Sequence, residues 1–176
     1  MFFAVRSLLV KQTTISHKKM IQRIQSVFLF LISASMGVAL ANPIWEKPGM
    51  KPGDEAELTP LQYTYEQGIT TFTTPLWYLG GLLAIVAVLA IFAIFQYKKR
   101  LLQMGLCAAN AILLTASMGV ILYNVLISGK TYGNPADQGS FLTGFWAIIA
   151  GLVLNALANR FIRRDEKLVR QSNRIR

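Results

Sequence analysis

The sequence predicts an all-α fold, a polytopic transmembrane four-helix bundle with a short external loop that reads in part as a β-hairpin. Three observations carry this expectation. Of 176 residues, 53% are hydrophobic and only 15% charged, with a mean hydropathy of +0.43, where a soluble domain carries about a quarter charged residues. Four uncharged runs are each long enough to cross a bilayer. The basic residues then fall almost entirely on one side of those runs.

Uncharged stretches of 22, 31, 29 and 22 residues separate Arg23 from Glu46, Glu66 from Lys98, Arg100 from Lys130 and Asp137 from Arg160. A helix crosses the hydrocarbon core with roughly 20 residues. The spans are placed at about 24–41, 76–97, 104–127 and 141–159. Helix is imposed by the solvent, because backbone N–H and C=O groups find no water partner in lipid and four short segments cannot close a barrel.

Ahead of the first span, residues 1–19 form a basic, acid-free leader, and Met20 stands directly before the basic flank as the preferred start. A targeting presequence or surface anchor is the competing reading of the leader. The run from Val27 to Val38 followed by Ala39-Leu40-Ala41 also resembles a signal peptide with an A-x-A cleavage site. A retained helix is preferred, and either choice leaves the next segment outside.

Orientation follows from charge. Fifteen of the 18 Lys and Arg residues lie in the N-terminal flank, the loop after the second span and the tail. The other side holds only Lys47, Lys51 and Lys130, with Glu46, Asp54, Glu55, Glu57, Glu66 and Asp137. The positive-inside rule puts both termini in the cytoplasm of a multi-pass inner-membrane protein. Lys98, Lys99, Arg100, Arg163, Arg164, Lys167 and Arg170 are the expected cytoplasmic anchors, with anionic lipids as additional partners. Nucleic acid is not expected, since no basic face with interleaved aromatics and no recognised motif appears.

The external loop 42–74 opens with Pro43, Pro48, Pro52 and two Lys-Pro-Gly copies, read as turns. After Pro60, Leu61, Tyr63 and Tyr65 alternate ahead of Gln67-Gly68, Ile69 and Phe72, a hairpin pattern. Trp45, Tyr63, Tyr65 and Trp77 are expected at headgroup level. The loop's five carboxylates beside aromatics offer the alternative of a platform for a cation or basic partner, without the spacing of an EF-hand. The second loop, Ser128–Ser140, reads as an ordinary turn-rich connection.

Catalytic currency is nearly absent, with one cysteine and one histidine and no ionisable residue in the centre of any span. No disulfide, metal site, cofactor or enzymatic role is expected. The polar residues inside the spans, among them Asn110, Asn124, Asn155 and Asn159, are expected to make interhelical hydrogen bonds worth around 1 kcal/mol each. Ala147, Gly151, Asn155 and Asn159 recur every four residues and are read as one packing stripe. Gly80, Ala84, Ala87 and Ala90, and Gly105, Ala108, Ala111 and Thr115, are read as similar seams. Cys107 reads as a small core residue. The tail 160–176 is read as continuing the last helix, with Asp165 interrupting its apolar face.

The ends of the chain carry a resemblance. Met20-Ile21-Gln22-Arg23-Ile24-Gln25, Trp45, Tyr97-Lys98-Lys99-Arg100 and the segment from Arg163 to Arg170, closed by Arg174-Ile175-Arg176, resemble the bacterial domain-of-unknown-function family numbered 4293. The resemblance covers Met20 to Arg176. It implies a small four-helix inner-membrane protein starting at Met20 with its first helix retained, and it implies no activity. The function expected is an accessory or scaffold subunit that packs against another membrane protein or itself. The alternative is a small carrier or channel lined by Asn110, Asn124 and Asn155.

Overall fold

The computed structural model describes residues 24–174 apart from residues 52, 98 and 135, with side chains as far as Lys167. The expectations for the leader 1–19, for Met20 and for Lys98 lie outside the described residues. Four helices, α1 (Ile24–Ala41), α2 (Trp77–Phe95), α3 (Arg100–Tyr123) and α4 (Thr143–Arg174), are each long and apolar enough to cross a membrane. They alternate in direction, and α3 packs against both α2 and α4. Helix α1 lies on α4, where Phe28 stacks on Phe161 at 5.3 Å.

Each helix buries one seam whose members alternate at spacings of four and three. These are Gln25, Leu29, Ile32, Met36 and Ala39 on α1; Leu79, Leu83, Val86, Ala90 and Ala93 on α2; and Gln103, Cys107, Asn110, Leu114, Ser117 and Ile121 on α3. On α4 the seam is Gly144, Ile148, Gly151, Asn155, Ala158, Ile162 and Asp165. Seven residues return a helix to within about 20° of the same face, which keeps a seam on its neighbours in a left-handed bundle. This corrects the stripe expected at every fourth residue of α4. Four residues overshoot a turn by about 40°, so a stripe of four such residues wanders off by about 120°. Gly151 and Asn155 are therefore inside, while Ala147 and Asn159 only flank the seam. Gly80 and Ala90 are buried, but Ala84, Gly105, Ala108 and Thr115 face outward.

A five-stranded antiparallel sheet caps one end of the bundle, a correction to the all-α expectation with a single hairpin. Its strands are β1 (Trp45–Pro48), β2 (Glu55–Leu58), β3 (Gln62–Gln67), β4 (Thr70–Pro75) and β5 (Ser140–Phe141), in the order β4-β3-β2-β1-β5. The hairpin expected around Gln67-Gly68 is present as β3–β4, and Gly68 turns it at φ +66°. Strand β1 forms where turns were expected. Its side chains alternate inward and outward from Trp45, and Pro48 lies beyond the two residues that pair with β5, on the part of β1 that is an edge. The second loop is likewise more than a connection, because β5 pairs with β1 and completes the sheet.

Trp45 and Tyr63, expected at headgroup level, belong to the cap's core. Trp45 is 1% exposed, its indole in contact distance of where Cβ atoms on Gly129 and Gly139 would stand, and its Nε1 donates to Gln138 O at 3.1 Å. Gly139, at φ +71°, passes this ring in a conformation L side chains avoid. Exposed aromatics at this end include Phe72, Trp77, Tyr78, Tyr123, Phe141 and Trp146.

Candidate functional site

Helix α3 places polar side chains at every seventh position of its inner seam. Gln103, Asn110, Ser117 and Asn124 are all buried. The last two are satisfied within the helix: Ser117 Oγ donates to Leu113 O at 2.9 Å and Asn124 Nδ2 to Val120 O at 2.8 Å. Asn124 starts a single π-helical turn, Asn124–Ser128, followed by a 3-10 turn, Gly129–Thr131. On α4, Asn155 Nδ2 donates across the interface to Cys107 O at 2.9 Å. That is the interhelical bond expected of this residue.

The deeper amides behave differently. Both polar atoms of Asn110, Gln103 Oε1 and Asn155 Oδ1 are buried without a hydrogen-bond partner among the described residues. A buried unpaired polar group costs about 1–3 kcal/mol. A polar residue at a core position does bring specificity of register at a cost in stability, and Asn110 fits that role. Gly151 lets α1 approach closely: a Cβ there would stand 2.5 Å from Met36 Cε and 3.2 Å from Ser35 Oγ. Its smallness is consumed inside the bundle.

The outward face of α3 is the reverse. Gly105, Ala108, Thr115 and Gly119 all face away from the core, and a Cβ on either glycine would meet nothing within 4 Å.

At the end remote from the sheet lie the basic residues. Arg100 Nη2 pairs with Asp165 Oδ2 at 3.2 Å, and this joins the start of α3 to α4. Asp165 is thus a buried member of the α4 seam, where it was expected to interrupt an apolar face. Lys99, Arg163, Arg164 and Lys167 are exposed, and Arg170 lies in α4 beyond the described side chains. Arg163 Nε donates to Asn159 Oδ1 at 3.2 Å. Together with Arg160 and Ala156 these α4 residues line a groove of about 550 Å³.

The cap holds residues that the sequence reading missed. Lys47 is 2% exposed, and its Nζ donates to Gly129 O at 2.9 Å. Its place on the inward face of β1 follows from alternation with Trp45, a signal hidden by the adjoining prolines. Tyr65 stacks on Phe72 at 5.0 Å and meets Tyr132 edge-on at 5.8 Å. Tyr132 Oη donates to Glu66 O at 2.6 Å. Burial pushes the Tyr63 hydroxyl up to about 12, and burial together with Asp54, Glu66 and Glu55 raises Tyr132. Among the first loop's carboxylates Glu46 stands opposite Glu57 and three act on Tyr132, but no group of three His, Cys, Asp or Glu suited to a metal occurs among the described residues.

This architecture defines a multi-pass membrane protein in which four apolar helices carry a folded sheet cap. Residues 21–175 match the family described as Domain of unknown function (DUF4293), and the chain belongs to that family. Comparison with curated proteins finds no match.

Proposed function

We propose that the chain is an accessory or scaffold subunit of a bacterial inner-membrane complex. Both termini lie in the cytoplasm and the sheet faces outward, a reading supported by the basic end and the acidic cap. The role is binding, without cofactor or catalysis. The observation that carries it is the outward small-residue face of α3, where Gly105 and Gly119 leave room for another helix to approach closely. The partner is another membrane protein or a second copy of the chain. The groove from Asn159 to Lys167 takes anionic lipid head groups that hold the cytoplasmic end in place.

Crosslinked co-purification from gently solubilised membranes tests the scaffold role. The double variant Gly105→Leu, Gly119→Leu is expected to lose partner recovery and keep its own thermal stability, whereas Ala150→Leu, outward on α4, serves as the control. Undiminished recovery with the double variant counts against the α3 face. Orientation is checked with a cysteine placed at Asp54: modification by a reagent confined to the cytosol would reverse it.

A second reading, a small carrier, is favoured by the unpaired amides of Asn110, Gln103 and Asn155 in the bundle interior. It expects Asn155→Ala to change solute flux in liposomes with assembly intact. Absence of flux across a broad solute panel removes it.

A further inference from the structure

A cavity of about 510 Å³ lies at the sheet end of the bundle, between the β3–β4 hairpin and the turns that terminate α3. Tyr63, Tyr65 and Gln67 alternate along β3 and so share one face, and all three line the cavity. Opposite them stand Ser128, which ends the π-helical turn, and Thr131 and Tyr132 beyond it. Single π-helical turns occur often at functional sites.

Three properties restrict what fits here. First, the walls are aromatic: Tyr65 lies 6.0 Å from Tyr63 and 5.8 Å from Tyr132, ring centre to ring centre. Second, Tyr63, only 4% exposed, has a buried hydroxyl without a partner among the described residues, while the Tyr132 hydroxyl is already committed to Glu66 O. Third, no charged side chain among the described residues lines the cavity, yet Asp54, Glu55 and Glu66 are close enough to disfavour ionisation of Tyr132. Lys47 is spent on the Gly129 carbonyl, and neither it nor Lys130 in the 3-10 turn is a lining residue.

We propose that this cavity is a binding site for a primary ammonium group, carried by an ethanolamine-type lipid head group or by a small soluble amine. Tyrosine faces attract a cation electrostatically. The three N–H donors of a primary ammonium supply what the site lacks, since Tyr63 Oη accepts one and the hydroxyls of Ser128 and Thr131 accept others, Thr131 Oγ1 keeping its lone pairs while it donates to Ser128 O at 2.7 Å. A quaternary ammonium satisfies the rings and leaves Tyr63 Oη unpaired. A ligand whose only charge is a phosphate or carboxylate is repelled by the surrounding carboxylates, whereas an ethanolamine head group enters ammonium first. The site is independent of the α3 face assigned to a protein partner.

Calorimetric titration of the full chain in an amine-free detergent decides the matter, with n-butylammonium and dihexanoyl-phosphatidylethanolamine as probes and dihexanoyl-phosphatidylcholine as comparison. Saturable binding of at least one primary amine is expected, weakened about tenfold by Tyr65→Ala. Tyr63→Phe, which keeps the ring and its packing, is expected to weaken it about fivefold. Binding of butylammonium points to a soluble amine; binding of the ethanolamine lipid alone points to a head group. The proposal is overturned if neither amine binds saturably, if the choline lipid binds as tightly, or if both variants bind like the parent. Near-ultraviolet circular dichroism confirms that each variant retains its cap, and Gly105→Leu is expected to bind the amine unchanged.

Discussion

The bundle and its cap satisfy buried polar groups by different means. In the cap, Trp45 Nε1 reaches Gln138 O, Lys47 Nζ reaches Gly129 O and Tyr132 Oη reaches Glu66 O. In the bundle, Asn155 Nδ2 reaches Cys107 O, but both side-chain atoms of Asn110 and one each of Gln103 and Asn155 have no partner among the described residues, a state shared in the cap by Tyr63 Oη. The difference lies in the backbone. Helix carbonyls already serve the i to i−4 ladder and take a side chain as a second bond, within one helix at Leu113 O and Val120 O, whereas the cap carbonyls receive side chains from segments 66 to 93 positions away. The cap therefore gains specificity from directed hydrogen bonds, and the bundle from the steric fit of its four seams.

The largest expected effect breaks the cap and spares the bundle. Trp45→Ala removes the indole held between Gly129 and Gly139 and should destabilise the cap by about 4 kcal/mol. Proteolysis within residues 129–139 should accelerate while helical circular dichroism persists; a parallel loss of helix would show that the two regions are one cooperative unit. Gly151→Leu acts on the other side of the contrast. It forces Met36 and Ser35 aside and should lower bundle stability by about 2 kcal/mol in a detergent melt.

A smaller pair of changes sharpens the distinction between satisfied and unsatisfied amides. Asn155→Ala loses the bond to Cys107 O and should cost about 1 kcal/mol. Asn110→Ala relieves two unpaired atoms, so its melting temperature is expected to match or exceed that of the parent. Equal losses from both would mean that Asn110 has a partner such as bound water.

The smallest effect appears only in alkali. Tyr63 holds its proton up to about 12 when folded, above its ordinary value of 10.0. The unfolded chain then releases a proton that the folded chain keeps, so this contribution is intact below pH 10 and is lost as pH rises towards 12. Tyr63→Phe should flatten the fall in cap stability over that window, monitored by tryptophan fluorescence during a pH titration. An unaltered slope would assign the fall to other groups.

The spans were legible because charge is excluded from lipid, and Arg23, Glu46, Glu66, Lys98, Arg100, Lys130, Asp137 and Arg160 bracket them plainly. Which face turned inward was much less so. In helices apolar all round, leucines give no contrast, and attention to Gly105, Ala108 and Thr115 selected the outward face of α3. Gln103, Asn110, Ser117 and Asn124 carried the better signal in their spacing of seven. In the cap, Tyr63 and Tyr65 revealed one hairpin through their alternation. Strand β1 was obscured by Pro43 and Pro48, and β5, at two residues, is too short for any periodicity. Its partner in β1 is close only in three dimensions.

That last pairing sets a timetable for biosynthesis. Trp45 leaves the ribosome well before Gln138, the residue 93 positions later whose carbonyl receives its indole. At ordinary elongation speeds the ring waits roughly 5–20 s for this partner. During that interval two further helices must enter the membrane, and the edge of β1 stands open to any passing strand. A chaperone that shields this edge, or slow codons placed after α3, would change the yield of correctly closed protein without altering one residue of it.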